Sequence, residues 1–120
     1  MRVMVLVKAT ADSEAGLSAN TAAEMEAMGR FNDQLEAAGI LVTAAGLKPS
    51  SFGKRVAFDG TKRTVIDGPF AETRELVAGY WIWNVKDMAE AVDWVKRCPN
   101  PMPGPSDIEI RPFYEMADFA

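Results

Sequence analysis

The residues best suited to chemistry lie in one stretch, Asp67-Gly68-Pro69-Phe70-Ala71-Glu72-Thr73-Arg74-Glu75, where turn formers, an aromatic ring and four ionisable groups sit between two apolar runs. Two readings fit it. In the first, Asp67 is an acid/base group or hydrogen-bond acceptor, Glu72 a second carboxylate and Arg74 a clamp for an anion, while Phe70, Thr73 and Tyr80 line a substrate pocket. In the second, Asp67 and Gly68 open a turn that Pro69 fixes, Phe70 plugs the core, and Glu72 to Glu75 form a solvated helical turn. Turn carboxylates commonly satisfy backbone N–H groups, so local physics alone leans to the second.

What the sequence lacks narrows the chemistry further. It has no histidine, which removes the commonest general base and with it any Ser-His-Asp or Cys-His arrangement. Cys98, the single cysteine, has no internal disulfide partner and cannot make a typical zinc site alone. The glycine spacings of dinucleotide and P-loop sites are absent. The expectation is a protein with no metal and no cofactor. Seventeen acidic against thirteen basic residues give a net charge of -4, a field that repels phosphate backbones and anionic headgroups, so neither nucleic acid nor membrane is expected as a partner. No secretory signal pattern opens the chain, and the apolar run from Met1 to Val7 is too short to span a bilayer, which makes the cytoplasm the expected compartment.

The elements that must position these residues can be read in order. At 120 residues, 48% hydrophobic and 25% charged, residues 1–120 fit one globular domain. Val3 to Lys8 reads as a first strand and Ala9 to Asn20 as a loop. Thr21 and Glu24 suit a capping box, after which Met25, Met28, Phe31 and Leu35 share a helical stripe that Gly39 stops. Ile40 to Leu47 is a second strand. Lys54 to Asp67 reads as a β-hairpin turning at Asp59-Gly60 through a type I′ turn, its Lys54, Arg55, Lys62 and Arg63 being solvated edge charges. Gly79 to Val85 is apolar on both faces and predicts a central strand. Asp87 and Glu90 cap a second helix carrying Met88, Ala91, Val92 and Val95, which Pro99 ends, with Trp94 on a partly buried edge and Cys98 a small core residue. The proline-rich Asn100 to Pro105 is a rigid linker before a last strand at Ile108 and Ile110. Arg111 on that strand is placed to pair with Asp67 or Glu72, or with a surface neighbour.

This order predicts an α+β fold: a ferredoxin-like sandwich with an antiparallel sheet, two helices on one face and an inserted hairpin. Its second face, with Trp81, Trp83 and the hairpin's apolar residues, carries more hydrophobic area than water covers comfortably, so a homodimer joined sheet to sheet is expected.

The string Asp67 to Phe70, continued by Ala71, Glu72 and Thr73 and then by Gly79-Tyr80, resembles the signature of the DGPF proteins within the YCII-related family. The likeness extends to the strand near Met4, to Ala37 to Gly39, to Gly46-Leu47 and to Arg97-Cys98-Pro99, nearly the whole chain. It implies a dimeric α+β barrel whose two sheets face each other and enclose a pocket in each subunit. YCII-type relatives are thought to use a His-Asp pair, which this histidine-free chain cannot form, and a few resemble lyases or dehalogenating enzymes. DGPF relatives are also associated with extracytoplasmic-function sigma factors. The resemblance therefore leaves two functions: a small-molecule binder or acid/base enzyme of the lyase or isomerase kind near Asp67, or a regulatory protein-interaction module.

Overall fold

The computed structural model describes residues 1–16 and 22–119. Strands β1 (Arg2–Lys8), β2 (Leu41–Gly46), β3 (Lys54–Asp59), β4 (Lys62–Asp67), β5 (Val77–Asn84) and β6 (Ile108–Pro112) combine with helices α1 (Ala11–Ala15), α2 (Ala22–Ala37) and α3 (Met88–Lys96), and short 3-10 turns fall at Ser50–Phe52, Thr73–Glu75 and Met116–Phe119. The result is a mixed α+β structure with antiparallel sheets. The main sheet has the order β2-β5-β1-β6, and β3 and β4 form a separate two-stranded sheet.

Strand alternation decides which side chains enter the core. Val3, Val5 and Val7 of β1 are buried, as are Trp81 and Trp83 of β5. Register places Val5 opposite Trp81 and Val3 opposite Trp83, with Ile110 and Ile108 of β6 beside Val5 and Val7. On this face α2 contributes Phe31 and Leu35, and α3 contributes Ala91 and Trp94. The Phe31 ring meets Trp81, Trp83 and Trp94 edge-on at 6.1, 6.3 and 6.2 Å between centroids, the geometry that the aromatic quadrupole favours.

Caps and turns set the boundaries. Gly39 adopts φ 72 just past α2, where a left-handed residue closes a helix without a Cβ clash. Asp87 accepts from Glu90 N at 2.9 Å, and Glu90 Oε1 accepts from Lys86 N at 2.7 Å, a reciprocal cap for α3. The capping pair read at Thr21 and Glu24 lies partly outside the described residues, since Thr21 is not among them.

Three sequence expectations change. The stretch read as a loop after β1 contains α1, capped by Thr10 Oγ1 accepting from Ser13 N at 3.3 Å while Ser13 Oγ accepts from Thr10 N at 2.9 Å. The hairpin turns at Gly60-Thr61, because Asp59 pairs with Lys62; Gly60 alone has positive φ, the pattern of a II′ turn and not I′. Trp81 and Trp83, two residues apart, share the helix-covered face, and Trp94 is buried between helix and sheet. Of the partners open to Arg111, it takes the surface neighbour, pairing with Glu109 on its own strand at 3.8 Å.

Candidate functional site

A cleft of about 960 Å³ opens where β1 ends and β5 begins, within the range of small-molecule sites. Its floor is the end of the main sheet, at Val7, Ala44 and Trp81, and its walls come from α1, Met28 and Asn32 of α2, the segment after β2 and Pro101 to Pro103. Glycine lets the strands come this close: a Cβ on Gly79 would stand 3.1 Å from the Ala45 carbonyl oxygen. The proline segment is fixed by Asn100, whose Oδ1 accepts from Met102 N at 3.0 Å and Ser106 Oγ at 2.7 Å, and whose Nδ2 donates to Gly104 O at 2.9 Å. Met28, Leu47, Phe52 and Met102 give the walls an apolar character.

One ion-assisted tie holds the cleft's side together. Glu14 of α1 accepts from Ser50 N at 2.8 Å and from the Ser50 hydroxyl, bridging 36 residues of sequence. Ser50 Oγ in turn accepts from Phe70 N at 3.1 Å, and Gly68 N donates to Gly53 O at 3.0 Å. Thus α1, the 3-10 turn at Ser50–Phe52 and the loop after β4 are clamped in sequence. Gly68 is required there, since a Cβ would fall 1.8 Å from the Ser50 carbonyl oxygen. The Phe70 ring lies under the Arg55 guanidinium, 3.9 Å from its carbon. A smaller hollow of about 500 Å³ beyond the clamp is lined by Phe70, Arg55 and Leu76 together with Glu14.

Residues 1–114 match the family described as the YCII-related domain. The chain belongs to the YCII-related family. It is also 32% identical over 75 residues to an uncharacterized protein of Rhizobium meliloti (strain 1021), an overlap of 62% of this chain and 60% of that protein. The chain therefore spans 60% of the length of that relative.

In this YCII-related domain the six sequence-read site residues do not converge. Asp67 ends β4 as an exposed partner of Lys54 Nζ at the base of the hairpin. Glu72 precedes the 3-10 turn that contains Thr73 and Arg74, its backbone oxygen accepting from Glu75 N at 3.0 Å. None of these four lines either hollow, whereas Phe70 lines the smaller and Tyr80 the larger. Alternation sends the Tyr80 ring to the face away from Trp81, opposite Leu6. Among the described residues, no three acidic or cysteine side chains gather where they could hold a metal ion, and no helix is long and apolar enough to cross a membrane.

The cleft and its clamp bring forward residues that the sequence reading missed: Glu14, Asn32 and Lys48 on the lining and Ser50 in the clamp. Asn32 had a signal, because it falls four after Met28 on an otherwise apolar stripe. Trp81 Nε1 donates to Asn32 Oδ1 at 2.8 Å, so the intruding amide serves a buried indole. Glu14 and Ser50 had none, since only the fold brings them together.

Proposed function

We propose that this YCII-related domain, read as a DGPF member, binds a small molecule in the cleft at the α1 end of its main sheet. The observation that carries this reading is the cleft itself, an apolar hollow of about 960 Å³ assembled from six separate chain segments and clamped by Glu14 and Ser50. Asp67, Glu72, Thr73 and Arg74 stand outside the cleft in this reading, on and beside the loop that Gly68 and Phe70 fasten to the clamp, while Tyr80 belongs to the cleft's sheet wall. The strand order and the helices on one face support a ferredoxin-like unit, and the uncovered sheet face supports a homodimer of the α+β barrel kind. The regulatory alternative would use the same uncovered surfaces for a different protein, and nothing on them singles out a sigma factor.

Backbone amide chemical-shift mapping against a library of small organic molecules tests the reading. Hits should perturb residues 12–16, 44–48 and 79–81 together, and Met28→Trp, which crowds the hollow with a bulky ring, should abolish them. Perturbations confined to the hairpin, or surviving Met28→Trp, would remove the cleft as the site.

A further inference from the structure

Two of the polar groups left open on the cleft wall are donors. An indole N–H can only donate, so the bond from Trp81 Nε1 fixes the Asn32 amide with Oδ1 toward the ring. Its Nδ2 is thereby left on the wall as a double donor with no partner among the described residues. At the rim, Lys48 lies over the Phe52 ring with its ammonium 5.2 Å from the centroid and makes no ion pair among the described residues. Glu14, a carboxylate on the same wall, already receives both donors of Ser50, which leaves it less able to attract a cation. Asp12 is the remaining acid on the lining, exposed on the first turn of α1.

An oriented amide donor and an unpaired cation, set in apolar walls, suit an acceptor with negative charge on an apolar body. We propose that the ligand is a small organic carboxylate with an aromatic or branched aliphatic body, its oxygens taken by Asn32 Nδ2 and Lys48 Nζ and its body resting against Met28, Leu47 and Phe52. Charge-assisted bonds of this kind are the stronger class, and the ligand's apolar body gains contact area against the wall. This inference rests on the cleft being the ligand site.

Calorimetry with phenylacetate, phenylacetamide and phenethylamine, three probes sharing one ring, separates the two levels, with the Trp81 indole N–H resonance reporting occupancy. Phenylacetate should bind at least about tenfold more tightly than the other two, a difference of about 1.4 kcal/mol. Asn32→Asp keeps an oxygen for Trp81 but replaces the donor with a second acceptor, and Lys48→Gln removes the cation. Each should weaken phenylacetate about tenfold while leaving the thermal transition in place. If the amide or the amine binds as tightly as the acid, or if both variants bind phenylacetate as wild type does, the carboxylate assignment is overturned and the cleft reading stands. If no probe moves the Trp81 signal, both fail.

Discussion

A methyl group on Gly68 would have to share space with the Ser50 carbonyl oxygen, 1.8 Å from where it would sit. Backbone cannot yield as a side-chain tip does, so Gly68→Ala should cost about 1–3 kcal/mol or more, the range for overpacking, read from urea unfolding. Its neighbour behaves differently. Asp67 and Lys54 form a pair whose side chains are 73% and 66% exposed, and exposed pairs contribute about 0–1 kcal/mol. Asp67→Asn should therefore leave the unfolding midpoint almost unchanged, and ligand response as well, because the carboxylate stands outside the cleft. Loss of ligand response with folding intact would instead return Asp67 to the acid/base role. Cys98 gives a pH signature. Burial pushes its thiol from 9.0 up to about 11, and the thiol donates to Pro99 O at 3.2 Å. A raised acid favours its neutral form in the fold, so this contribution is complete below about pH 9 and is lost as pH rises toward 11. The stability difference between wild type and Cys98→Ala should hold constant up to pH 9 and shift against the wild type above it, as followed by unfolding at stepped pH.

Among the elements, α2, α3 and the main sheet meet at Phe31, whose ring touches three tryptophans. Phe31→Ala should cost about 3–5 kcal/mol, enough to remove much of a small domain's stability, and a thermal scan by circular dichroism would show it. A change under about 1 kcal/mol would mean that the two helices dock independently. The same elements explain what the sequence made legible. β1 reads as a strand because every second residue is a buried valine, and α3 reads as a helix because Asp87 and Glu90 spell its cap. Helix α1 escapes because its box closes with Ser13 where Glu or Gln usually stands, and its five residues are too few for periodicity. The hairpin was visible but its turn was displaced by one residue, since Asp59-Gly60 and Gly60-Thr61 both place glycine where φ must be positive. The candidate site was the least legible. A cleft joining residues 12–16, 44–48 and 101–103 is a property of topology, and local turn chemistry points only to the loop that supports it.

At the scale of the molecule, a chain of 120 residues packed into a sphere-like domain has a radius of gyration of roughly 14 Å, whereas this one has 16.3 Å and extents of 47 × 46 × 20 Å. The β3–β4 hairpin is exposed along both strands and carries Val56, Phe58, Val65 and Ile66 into solvent. A two-stranded hairpin is marginal in water by itself. Full burial of such a side chain is worth about 1.5–3 kcal/mol, and the eight in a pair of copies are each only 44–71% exposed to begin with, so their total is comparable with the roughly 4–15 kcal/mol that association costs and the hairpins alone would not hold two copies together. A second surface must contribute, and the main sheet offers it: Met4 pairs with Ile82 and Leu6 with Tyr80 on the face away from the helices. The expected assembly joins two copies through that quartet, with the hairpins as outer arms. Light scattering at micromolar concentration should give twice 13.1 kDa. Ile82→Lys, which puts a charge at the centre of the quartet, should return the mass to that of one chain, whereas Val65→Lys on the arm should only raise the dissociation constant. A wild-type mass of one chain, or an Ile82→Lys protein that still measures two, would sink the sheet-to-sheet dimer.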